Sequence, residues 1–198
     1  MSSSAISIQT ACDALASFGT LRPQPASDWT GEVELHPSLA LFYEEVGPYG
    51  KNGPHGPEGL IIPTTGNPFE IVPLAKLWDE QAGYRWHGMS GERMKSWPDE
   101  WLVVAAQGGD PFILDRPTGA ILHARHGEGA WTAEPVFSDV FVMALVFGAI
   151  GTVYEEGGEE IFDDEFEVRP EWRAALRTRL ASFLTVTEAE AIASRFDW

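Results

Sequence analysis

The chain is poor in basic residues and holds a single cysteine. Its 198 residues carry 13 lysines and arginines against 30 aspartates and glutamates, a formal net charge of −17 at pH 7. A surface that negative repels phosphate backbones and anionic lipid headgroups, which argues against nucleic acid and membrane as partners and favours a basic protein surface. Cys12 alone cannot close an intramolecular disulfide, which suits a reducing compartment or a fold that needs no covalent staple. Residues 1–9 lack both a basic leader and a long apolar stretch, so no targeting segment is expected. Long hydrophobic runs are also missing. The most apolar segment, residues 136–150, is interrupted by Ser138 and Asp139 and falls short of the ~20 residues of a membrane-spanning helix. It reads as a buried helix in a soluble, cytoplasmic protein.

Large side chains are plentiful. Apolar types make up 44% of the chain, with 8 Trp and 11 Phe, enough to build a core and outside the range of disordered sequences. The length fits one domain with additions, or at most two small ones.

Spacing and punctuation predict the elements. Ile8, Ala11, Cys12, Leu15 and Phe18 lie at near-helical intervals before Gly19, which makes Cys12 a small hydrophobe on an apolar helix face. Residues 21–30, with Pro23 and Pro25, read as a linker. Pro37 opens a helix whose face is Leu39, Phe42, Tyr43 and Val46, and Gly47-Pro48 stops it. In GPYGKNGPHGPEG, the glycines at 47, 50, 53, 56 and 59 are three apart, but four triplets cannot sustain a collagen helix. Nor does Lys51-Asn52 fit a phosphate loop, so the run is a loop. Residues 60–63 and 69–72 read as short strands, Pro73 as the start of a helix bearing Leu74, Leu77 and Trp78, and residues 84–87 as another strand.

The clearest pattern spans residues 101–126: WLVVAAQ, a GGDP turn, FILD, an RPTG turn and AILHARH, an antiparallel meander. Phe112, Ile113 and Leu114 are apolar in succession, as in a strand buried on both faces at the middle of a sheet. Trp101, Gly109, Asp110, Phe112, Leu114 and Asp115 are therefore read as structural. A helix over residues 137–150 follows, with Ser138 or Asp139 as its N-cap. Pro170 starts another helix that buries Trp172, Leu176, Leu180 and Phe183, and Thr187 with Glu190 offers a capping box for the last.

The order PSLALFYEEVG, GNPFEIVPLAKLW, GYRWHG, WPDEWLVVAAQGGDPFILDRPTGAILHARHGEG and PVFSDVFVMAL resembles the SUKH superfamily, in its Smi/Knr-like branch, over residues 36–150. The resemblance implies an α+β fold with a central, mainly antiparallel sheet and packed helices. For bacterial members it implies an immunity protein that binds and neutralises a toxin, often a nuclease, and it supplies no catalytic residues. The expectation is thus one SUKH-like domain over residues 1–198, with an N-terminal helix within 1–20 and C-terminal helices over 168–198 as additions.

Rival chemistries are weaker. His87, His123 and His126 with Asp110 and Asp115 are metal-ligand types, but an offset of three on one strand puts His123 and His126 on opposite faces. Asp110 and Asp115 read more simply as turn residues. Ser90 in GMSGE fails the nucleophile-elbow pattern because Glu92 stands where glycine belongs, and nothing fixes a triad. No catalytic residue, metal or cofactor is expected. Trp78, Trp86, Trp97, Trp101 and Trp131 form either core or a stacking cleft, with one or two at the rim serving as interface anchors.

Eight acids crowd residues 155–167 with no base among them; subtracting them from −17 leaves the rest of the chain at −9. The run is either a solvated loop or an anionic surface for a cationic partner. The functional expectation is occlusion of a basic toxin by Glu155, Glu156, Glu159, Glu160, Asp79, Asp99 and Glu100, with Trp86 and Trp131 as anchors. The alternative is a regulatory or scaffold module for an intracellular signalling partner.

Overall fold

Glycine- and proline-bearing turns fold the strands back on one another, and the main sheet pairs them in sequence order. The computed structural model describes residues 8–127 and 131–198. Outside them fall the first seven residues of the expected N-terminal segment and Glu128-Gly129 at the end of the meander motif. The helices are α1 (Ile8–Leu15), α2 (Pro37–Glu45), α3 (Val140–Gly157), α4 (Pro170–Leu180) and α5 (Val186–Arg195). The strands are β1 (Asn52–Gly53), β2 (Gly56–Pro57), β3 (Leu60–Ile62), β4 (Phe69–Ile71), β5 (Trp101–Gln107), β6 (Asp110–Asp115), β7 (Ile121–His123) and β8 (Glu134–Phe137). Strands β3 to β8 form one antiparallel sheet in chain order, and β1 with β2 a separate small hairpin within the glycine-rich loop. The fold is α+β.

At the sheet's centre, Gly108 and Gly109 have φ of 59° and 96°, the left-handed conformation that a tight two-residue hairpin requires. Leu102 opposes Leu114, and Val103 opposes Ile113. A bulge between Val103 and Ala105 then turns both Val104 and Ala105 toward the helices, where Ala105 opposes Phe112. β6 is buried on both faces, as its apolar triplet requires. Phe112 and Leu114 face the main core. Ile113 and Val103 face a smaller cluster roofed by Trp97, Trp101, Trp131 and Tyr84.

The main core draws on residues from Ala11 to Trp198, so the terminal helices contribute to it directly. Apolar on nearly every side, α3 packs between the sheet, α1, α2 and α4, with the Asp139 carboxylate capping the amides of Phe141 and Val142. It reaches Gly157 instead of stopping at residue 150. The stretch Val140–Glu160 is long and apolar enough to cross a membrane by composition, and 72% of its most apolar window is buried inside the protein. Gly148 lets α1 approach closely, since a Cβ there would meet the Ala14 carbonyl oxygen at 2.4 Å. The Cys12 thiol, half-buried, donates to the Glu45 carbonyl at 3.7 Å and links α1 to α2.

Four expectations are corrected. Residues after Pro73 form two short 3₁₀ turns, Leu74–Lys76 and Asp79–Gln81, because the tighter helix also aligns Leu74 with Leu77. The segment 84–87 is no strand: Trp86 makes only isolated bridges to Ala82 and Arg93. Phe137, expected to begin the helix, instead ends the edge strand β8, where Pro135 is tolerated, and the helix begins at Val140. The last helix starts at Val186, and its capping box is Thr185 with Glu188, two residues earlier than expected.

The 3₁₀ turns end in a side chain that completes the sheet. β4 stops pairing at Ile71, opposite Ala105, while β5 continues back to Trp101. Gln81, fully buried, fills the gap. Its amide nitrogen donates to the Val103 carbonyl (2.9 Å) and to the Leu77 carbonyl (2.7 Å), and its oxygen accepts from the Val103 amide (2.9 Å). One side chain thus stands in for a strand. Replacing Gln81 by Leu leaves both polar groups of Val103 buried and unpaired, with an expected loss of about 2–4 kcal/mol by urea melts. A loss no larger than that of an exposed substitution, below about 0.5 kcal/mol, contradicts this role.

Candidate functional site

Chain connectivity divides the acidic run into ties and free charges. Glu155 and Glu156 end α3, Glu159 and Glu160 lie in the 3₁₀ turn Gly158–Glu160, and the rest precede α4. Glu156 is held by the Arg179 guanidinium on α4 (2.9 Å), and Glu167 by Arg173 (3.0 Å). The Asp163 carboxylate accepts from the amides of Glu165 and Glu167 and organises the turn. Glu155, Glu159, Glu160, Asp164 and Glu165 are exposed and have no cationic partner among the described residues. Free carboxylates therefore extend from the end of α3 toward the start of α4.

The other expected binding residues lie elsewhere. Trp131 belongs to the cluster on the opposite sheet face, with its ring 5.3 Å from Tyr84 and 5.8 Å from Trp97. Trp86, half-buried, packs on Trp78 at 5.0 Å. Asp79 is exposed on the second 3₁₀ turn. Asp99 is gripped by Arg93, and its carboxyl is held below the usual carboxylate range by the hydrogen bond and charge of that guanidinium. Buried Arg85 also approaches Asp99 at 3.7 Å and donates to the carbonyls of Asp99 and Trp101. Glu100 is exposed beside it. The acidic run and the Trp131 cluster occupy different sides of the sheet.

The structural residues tie the strands together. Trp101 is half-buried over the second cluster. The Tyr84 hydroxyl donates to the Gly109 carbonyl at 3.0 Å. Asp115 accepts from the Thr118 hydroxyl (2.5 Å) across the expected turn. Asp110 does something different from capping its own turn: its carboxylate accepts from the His126 amide (2.8 Å) and contacts His126 Nδ1 (2.5 Å), pinning the segment after β7. No group of three His, Cys, Asp or Glu side chains able to hold a metal occurs among the described residues.

A cleft opens where the C-terminal helix crosses the end of the sheet. A cavity of about 490 Å³ is bounded by Asn67, Gln107, Phe162, Phe166, His123 and Arg125, among others, and an adjoining one of about 510 Å³ by Thr132, Glu134 and Ser194. The two share His123, Arg125 and Arg195. His123 is buried on β7, its ring 4.5 Å from that of Phe112. Arg195 Nη1 lies 3.3 Å from His123 Nδ1, and Nη2 pairs with Glu134 at 2.8 Å. A guanidinium only donates, so Nδ1 accepts and the imidazole proton sits on Nε2. Burial first, and the Arg195 charge second, push the His123 pKa down to about 4, so the ring is neutral at pH 7. Arg195 had no signal in the sequence, because it lies 72 residues from His123 and comes to it only by packing.

No family model, curated protein or solved structure matches the chain.

Proposed function

We propose that the protein is a cytoplasmic immunity protein, without catalytic activity, that binds a toxin through a basic surface of that toxin and keeps substrate out. A nuclease is the target such a charge suits best. The resemblance of residues 36–150 to the Smi/Knr-like branch of the SUKH superfamily supports this reading. The observation that carries it is the set of exposed carboxylates, Glu155, Glu159, Glu160, Asp164 and Glu165, with no cationic partner among the described residues in a chain of net charge −17. Solvated acids left free in this way attract a cationic surface over roughly the 8 Å Debye length of physiological salt and accelerate encounter.

Glu156 is left out of the binding set because Arg179 already holds it. Neutralising Glu155, Glu159 and Glu160 together to Gln is expected to slow association with the toxin about tenfold at low salt and to change dissociation much less. Stopped-flow mixing at two salt concentrations measures this. An unchanged association rate means that this surface does not face the toxin. The functional test is co-expression with the toxin domain encoded beside this gene. Equal cell death with and without the protein, and no complex on mixing, replaces immunity with the regulatory or scaffold role.

A further inference from the structure

We propose that the cleft between β7 and α5 is a binding site for a small monocarboxylate with an apolar body. The neutral His123 ring is only 5% exposed, and its Nε2 atom has no hydrogen-bond partner. With Nδ1 accepting from Arg195, Nε2–H is a buried donor that an acceptor oxygen would satisfy. Beside it, Arg125 is exposed and has no ion pair among the described residues, whereas Arg195 is engaged by His123 through one nitrogen and by Glu134 through the other. A buried imidazole donor and the unpaired Arg125 guanidinium around one cavity match a carboxylate better than any neutral group.

The rest of the lining selects the remainder of the ligand. Phe162, Phe166 and Phe196 border the same cavity, and Phe166 is 84% exposed, so an apolar body has rings to cover. Three acids also line it. Asp110 is engaged with His126 and Glu167 with Arg173, while Asp197 has no cationic partner among the described residues. That one uncompensated negative charge favours a monoanion over a phosphate. Phe166 and Asp197 have φ of 62° and 59°, the left-handed conformation that non-glycine residues rarely adopt. They are the two non-glycine residues in it among those described, and both border this cavity. Backbone strain of this kind is retained where a site fixes it.

The site borders the end of the acidic run through Phe162, Phe166 and Glu167 but uses none of its unpaired carboxylates, so it stands or falls separately from the immunity reading. The test titrates the intact protein with 3-phenylpropionate, its neutral amide, and inorganic phosphate, read by calorimetry and by the ¹⁵N signals of the His123 ring. The acid is expected to bind in the range of about 10 μM to 1 mM and to shift the Nε2 signal. Arg125→Ala, at an exposed position that leaves the core untouched, is expected to weaken binding about tenfold or more. The amide and phosphate are expected to bind at least about tenfold more weakly than the acid. Failure of the acid to bind by about 10 mM, equal binding of the amide, tighter binding of phosphate, or an Arg125→Ala affinity equal to wild type each overturns the proposal.

Discussion

Truncating Phe112 to alanine is expected to remove about 3–5 kcal/mol of stability, the range for deleting a fully buried aromatic ring. The size follows from where the ring sits. Phe112 lies on the fourth strand of six, opposite Ala105, so both of its neighbours across the sheet are backbone in place. Its ring meets Phe147 of α3 at 4.9 Å, Phe69 of β4 at 5.9 Å and Phe196, just past α5, at 6.0 Å. Phe69 and Phe147 are themselves stacked at 4.0 Å, so the surrounding rings brace one another and cannot collapse into the hole. A cavity that cannot close costs more than transfer alone. For a domain of typical stability, about 5–15 kcal/mol, the variant loses roughly a fifth or more of its margin. Urea melts measure it. A loss below about 1 kcal/mol means that the ring is not the junction between the sheet and the terminal helices.

That junction also shows what the sequence made legible. Local signals were clear wherever one residue type forces one geometry. Gly108-Gly109 marks a hairpin, Pro37 and Pro170 start helices, and three successive apolar residues at Phe112 mark a strand covered on both faces. Ambiguity won where two geometries accept the same pattern. Leu74 and Leu77 are three apart, which suits a 3₁₀ turn as well as an α-helix. LTVTEAEA holds two overlapping Thr-x-x-Glu frames. Burial of Ala189, Ile192 and Ala193 fits the helix that Thr185 and Glu188 begin. β8 was missed because an edge strand of four residues containing Pro135 carries almost no alternation. The candidate site was the least legible part. Glu156 looks like its neighbours in the sequence and differs only because α4 brings Arg179 to it. His123 looked like a possible metal ligand and became a neutral donor because α5 brings Arg195 across 72 residues. Non-local packing decides the protonation of one and the availability of the other.

His123 also makes the protein acid-sensitive in a defined window. In the unfolded chain the imidazole titrates near 6.5, whereas in the fold burial and the Arg195 charge lower it to about 4. Between those two values the unfolded state holds more protons than the folded one, so stability rises with pH across the window. The contribution is complete above about pH 6.5 and is lost progressively as pH falls toward 4. Two and a half pKa units correspond to at most about 3 kcal/mol, and the polar cleft beside the ring brings the expected loss to about 2 kcal/mol. The charged groups acting on the ring are Arg195 and Arg125, which disfavour its protonation, and Asp110 and Glu134, which favour it without prevailing. Carboxylates elsewhere titrate over part of the same range, so the comparison must cancel them. His123→Gln keeps an acceptor for Arg195 and cannot take up a proton. Urea melts of both proteins between pH 7 and pH 4 should show the wild type losing about 2 kcal/mol more than the variant, with most of the difference developing below pH 6. Parallel pH profiles would mean that the ring is protonated in the fold as readily as in the unfolded chain, and that Arg195 does not hold its Nδ1 atom.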